Sequence, residues 1–276
     1  MDFRRRFRLF LNVVVIVAFL ILIKVAIHAF RFEFLALDTL FSSIVAGTVF
    51  IIGFLLTGLL PDYKEAERMP AEIRTALEAI YDDVVSFAHQ VAGVDVGRLR
   101  AIVLHIVSAI ETGLGSEGGH SHLENAIAQT DLLVPFIAEL EPLGMSQNFV
   151  VRIRGELDTL RRYLYRIYYI QRIEFVPSVH VLIQTLVCAV LFLLLFLKTD
   201  GSYGSAMIFA FVSYLFVFAL HLIAVFEQPF RQGTHSADKV SLFLLREFVE
   251  KLGREDNPAG RGTEAVAPKK LLSGGR

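Results

Sequence analysis

Residues 41–61 read FSSIVAGTVFIIGFLLTGLLP, and the reading of this stretch decides the fold. From Phe41 to Leu60 it carries no charge, and about 20 helical residues suffice to cross a hydrocarbon core of about 30 Å. Ser42, Ala46, Phe50, Phe54 and Gly58 recur at four-residue steps, which sets them on one slowly drifting helical face. A helix surrounded only by lipid has no need of such a stripe. Small residues allow close approach of another helix, so the face either packs within the subunit or, repeated in several copies around an axis, forms an apolar constriction of the kind that gates ions by dewetting. Pro61 closes the stretch and is expected to bend or end the helix.

Three further stretches satisfy the same length criterion: Phe10 to Phe30, Val179 to Leu197 and Ala206 to Phe226. They explain a composition that fits no single class, with 54% hydrophobic residues, a mean hydropathy of +0.56 and yet 20% charged residues among 276. The apolar excess is concentrated in the four segments. A net charge of −1 offers no clustered basic surface for nucleic acid. The single cysteine, Cys188, excludes a disulfide framework within the chain and any multi-cysteine metal site. Arg4, Arg5, Arg6 and Arg8 precede the first apolar run, as in a signal peptide, but the run is long and no clear small-x-small cleavage site follows it. It is read as a retained helix. Those arginines outweigh the loop carrying Arg31, Glu33 and Asp38, which places the N-terminus in the cytoplasm, and four crossings return the C-terminus to the same side. Residues 198–205, KTDGSYGS, form a tight external hairpin, with Tyr203 suited to the interface.

The expected fold is an all-α membrane protein with a helical bundle inserted between transmembrane helices 2 and 3. Its parts are residues 1–60 (helices at 10–30 and 41–60), a cytoplasmic helical bundle at 61–177, helices 3 and 4 within 178–230 (179–197 and 206–226), a cytoplasmic amphipathic helix within 231–256, and a disordered tail at 257–276. In the bundle, Ile73, Leu77, Ile80, Val84, Phe87 and Val91 form one helical stripe, and Val150, Ile153, Leu157, Leu160, Leu164 and Ile167 form another. Shorter helices are expected around Leu99 to Ile110 and Asp131 to Leu140, the second capped by Thr130 and Asp131. Gly113 to Gly119 reads as a loop, Ser236 to about Leu252 as an amphipathic helix, and the tail from Asn257 as low-complexity chain.

Candidate chemistry is sparse. His120 and His122, with Glu117 and Glu124, have metal-binding residue types, but the spacing matches no metal pattern and the expectation is a solvated loop without metal. Among membrane residues, Lys24, His28 and His180 lie near helix ends, from which they can reach the interface. His221 lies deeper, facing either a polar network or an interhelical hydrogen bond. Cys188 reads as a small apolar filler. The basic and aromatic run from Arg161 to Tyr169 fits a helix entering the membrane interface better than a nucleic-acid surface. No catalytic or cofactor signature is present, so neither an enzyme nor a cofactor is expected.

Gly53-Phe54, followed by the run Asp62, Tyr63, Lys64, Glu65, Ala66, Glu67, Arg68, Met69 and Pro70, resembles the bestrophin family and its bacterial relatives. So does Glu227-Gln228-Pro229-Phe230 directly after the fourth apolar segment, and the order of segments agrees. The resemblance implies a homopentamer in the cell membrane, in contact with lipid and with no nucleic-acid partner, that passes chloride or other small anions. Some bacterial relatives pass cations. It implies a hydrophobic neck at Ala46, Phe50 and Phe54, with Ser42, Gly53 and Gly58 packing or lining the same helix. Ala46 is smaller than the aliphatic residue usual there. After Phe230 the run Arg231 to Asp238 has one carboxylate, against the acidic calcium-binding cluster of animal members, so no calcium site is expected. The competing expectation is a non-conducting membrane scaffold or sensor whose bundle binds a partner. The second apolar helix separates the two, since in a scaffold its striped face packs inside one subunit.

Overall fold

The computed structural model describes residues 8–115, 119–172, 177–227, 229–230 and 240–255. Among these the chain forms α1 (Arg8–Ala29), α2 (Thr39–Ala88), α3 (Val96–Gly115), α4 (His120–Asp131), α5 (Leu133–Leu140), α6 (Gln147–Arg172), α7 (Pro177–Leu195), α8 (Tyr203–Glu227) and α9 (Phe243–Glu255). Among the described residues four helices are long and apolar enough to cross a membrane: α1, the first part of α2, α7 and α8. Arg4, Arg5, Arg6, Glu117, Gln228, the run Arg231 to Asp238 and the tail 257–276 lie outside the described residues.

Helix α2 organises the molecule. Asp38 caps it by accepting a hydrogen bond from the Phe41 amide at 2.8 Å. The helix then runs for 50 residues, about 75 Å at 1.5 Å per residue, from the apolar part into the polar bundle. It passes both Pro61 and Pro70, so of the two expectations for Pro61, a bend or an end, the end is corrected. A proline removes one hydrogen bond but keeps a helical φ. The turns beyond it are anchored by Ala66, Met69, Pro70 and Ile73, all buried.

The helices enclose two separate apolar cores. In the bundle, Ile73, Leu77, Ile80 and Val84 of α2 meet Val150, Ile153, Leu157, Leu160, Leu164 and Ile167 of α6, with α3, α4, α5 and α9 closing the sides. Burying each such aliphatic side chain contributes about 1.5–3 kcal/mol relative to exposure. In the membrane part, Ile52 and Leu59 of α2 pack with Ile183, Val187 and Val190 of α7 and Phe209, Phe216 and Ile223 of α8. Helix α1 joins through Val13 and Val17 against Val217.

Three local expectations are corrected. Thr130 and Asp131 end α4 instead of opening the next helix, which starts at Leu133 without a side-chain cap. The Thr130 hydroxyl turns back, donating to the Ile127 carbonyl at 2.6 Å and accepting from Arg161 Nε at 3.0 Å. The glycine run is not one loop: α3 extends to Gly115 and α4 begins at His120. Gly119 is required there, because a Cβ on it would lie 2.0 Å from the Gly113 carbonyl oxygen. The last helix starts at Phe243, later than Ser236.

Candidate pore-lining surface

The apolar half of α2 has two unlike faces. Thr48, Ile52 and Leu59 are buried against α7 and α8. On the opposite side Ser42, Ala46, Phe50, Gly53, Phe54 and Gly58 are all exposed. Phe50 and Phe54 leave 75% and 71% of their surface uncovered, and a Cβ built on Gly47, Gly53 or Gly58 would meet nothing within 4 Å. No residue of this stripe is buried inside the subunit. Its hydroxyls are satisfied by its own backbone: Ser42 donates to the Asp38 carbonyl, Ser43 to Thr39 and Thr57 to Gly53. What the stripe presents outward is therefore methylene, methyl and aromatic ring, with no free hydroxyl donor.

One to two turns past Gly58 the surface becomes charged. Arg166 on α6 grips Glu65 through two parallel bonds of 3.1 and 2.7 Å and approaches Asp62 at 3.9 Å. That bidentate geometry is the strong form of the pair, and the bond from Glu65 holds the Arg166 guanidinium above its ordinary pKa. Arg68 lies 3.5 Å from Glu72, while Glu67 is exposed. Tyr63 packs against Phe226 with its ring tilted by 37° and centroids 5.0 Å apart. Tyr63 of the first motif thus meets the residue directly before the second. Directly after Phe226, Glu227 faces His180 Nδ1 at 2.7 Å, the Pro229 carbonyl accepts from the Val240 amide, and Phe230 is buried in the bundle core.

At the other end of the membrane part, Lys24 does not reach outward. It is 7% exposed, pairs with Glu33 at 2.7 Å and donates to the carbonyls of Leu195 and Leu197 at the end of α7. Glu33 also accepts from the Thr199 amide and hydroxyl and lies 3.1 Å from His28. Burial raises the carboxyl pKa, but the bonds from Lys24, Thr199 and His28 outweigh it and hold the group at about 2. Sequence reasoning missed this clamp, although a lysine in an apolar helix is itself the signal that a partner must exist.

The remaining candidates are structural. His221 Nδ1 bonds the Val217 carbonyl of its own helix at 2.9 Å. His180 bonds Glu227 and contacts Gln184 at 2.7 Å. Cys188 is exposed in this chain, which corrects its assignment as a packed filler. No three metal-binding side chains come together among the described residues; His120 instead meets the Tyr168 ring, and Tyr168 donates to Glu124. In the basic and aromatic run, Arg161 bonds Thr130 and Asp131.

No known family pattern matches the sequence, and no curated protein matches it. Solved structures do. The chain is similar to a bacterial bestrophin homologue from Klebsiella pneumoniae, with a TM-score of 0.70 at 16% identity over 88% of this chain and 98% of that one. A mutated form of the Klebsiella homologue gives 0.68 at 14%, over 90% and 99%. A crystal structure described as a membrane protein gives 0.69 at 16%, over 92% and 100%. This chain is a membrane protein with a bestrophin-like fold.

Proposed function

We propose that the chain assembles around a central axis, five copies to a ring, as an ion channel and not an enzyme. Small anions such as chloride pass through a hydrophobic neck made by Ala46, Phe50 and Phe54. The observation that carries this reading is the stripe on α2. Two phenylalanine rings are left largely uncovered and three glycines have open space beside them, on a helix whose other face is well packed. Within one chain nothing satisfies that face; around an axis it becomes the wall of a narrow apolar passage, which resists ion entry by dewetting. The non-conducting scaffold required the stripe to pack inside a subunit, and its exposure counts against that alternative. The similarity to bestrophin homologue structures supports the same arrangement of segments. Ala46 makes the first step of the neck wider than its two phenylalanine steps, and Gly53 and Gly58 let neighbouring copies approach closely.

The test is ionic flux from liposomes loaded with purified protein. Phe50→Ala combined with Phe54→Ala should raise conductance or leak at least severalfold. Unchanged current in the double variant would remove these residues from the constriction.

A further inference from the structure

The neck face of α2 continues past Phe54 into the charged region. Each helical residue advances by about 100°, so Lys64, fourteen residues after Phe50, returns to within about 40° of its direction, and Arg68, eighteen residues after it, to about the same direction. Both are exposed, on the side opposite the buried Ala66, Met69 and Ile73.

The carboxylates that could cancel them are mostly engaged elsewhere. Glu65 and Asp62 are drawn sideways to Arg166 on α6. Glu78 and Asp82 face Lys251 of α9 at 2.7 and 3.6 Å. Glu72 lies 3.5 Å from Arg68 and offsets it, while Glu67, three residues after Lys64 and about 60° round the helix from it, makes no ion pair with it. Lys64 makes no hydrogen bond or ion pair among the described residues. Helical side chains slant toward the N-terminus of their helix. The Lys64 ammonium, on a Cα about 15 Å along the axis from that of Phe54, therefore leans back toward the neck.

We propose that Lys64 is the selectivity determinant of the pore: a ring of free ammonium groups, one from each copy, at the inner mouth that favours anions over cations. The proposal rests on the channel reading above. Each copy contributes one such cation to a narrow mouth whose low-dielectric walls concentrate its field. With a screening length of about 8 Å at physiological salt, the effect is largest in dilute electrolyte.

The experiment is the reversal potential of the full-length protein in planar bilayers under a potassium chloride gradient. The wild type should prefer chloride. Lys64→Gln should lower the chloride-to-potassium permeability ratio about threefold and Lys64→Glu about tenfold, both effects shrinking near 1 M salt. Lys198→Gln, at the opposite end of the membrane part, should leave the ratio unchanged. A ratio that stays constant in both Lys64 variants while current persists overturns the inference and spares the channel, as does a wild type that prefers potassium. No current from wild-type protein whose insertion is verified overturns both. The neutral variant keeps the test decisive if the charge reversal fails to fold.

Discussion

Lys24 and Glu33 show how much one buried ion pair can organise. Removing one partner of such a pair leaves the other charge stranded, at a cost of about 3–5 kcal/mol. Glu33→Gln should therefore lower the thermal midpoint in detergent markedly, and Lys24→Met in the same background should recover much of the loss; a single variant as stable as the wild type would show that the clamp is idle. The pH dependence has a definite sign. Because the folded carboxyl titrates at about 2, below its ordinary 4.5, the stabilisation is fully present above about pH 4.5 and is lost as pH falls toward 2. Glu33→Gln should flatten that acid limb. In the sequence the lysine was visible as an anomaly, but its partner was not, since Glu33 sits in a loop whose shape depends on α7 and Thr199 arriving from far along the chain. The stripe of Phe50 and Phe54 was legible for the opposite reason: its residues share one helix, and periodicity alone sets their common face.

Among the elements, α2 carries the account. Its stripe from Ile73 to Val84 and the facing stripe of α6 were readable because both are amphipathic repeats with a single apolar side; all six expected α6 residues are buried, whereas Phe87 is half-buried and Val91 lies beyond the end of α2. Helix ends were harder. Thr130 has the right chemistry for an N-cap, yet Arg161 from α6 holds its hydroxyl in another role, a tertiary contact that local sequence does not announce. Pro61 misled in the same way, because the packing of the following turns outweighs the loss of one backbone bond. That balance gives an expectation: Pro61 is exposed, so Pro61→Ala removes little packing and restores a donor for the Thr57 carbonyl. Thermal unfolding should show a gain of about 1–3 kcal/mol. A loss of stability would mean that the proline is required by contacts between copies.

At the scale of the whole molecule, the polar bundle and the membrane part are joined by continuous α2 and by the junction of Tyr63, Phe226, Glu227 and Phe230. The division of the chain into apolar segments and a charged helical block was legible from hydropathy, because the two solvents demand different surfaces. The contact of Tyr63 with Phe226 was not, since the two lie more than 150 residues apart and only the folded chain joins them. One chain leaves the Phe50 and Phe54 face of α2 bare, and in the proposed assembly other copies complete it. The mass of the purified assembly in nanodiscs or mild detergent tests this most directly. Five copies of the 30.9 kDa chain, about 155 kDa of protein, are predicted. A stable monomer of 30.9 kDa would contradict the pore.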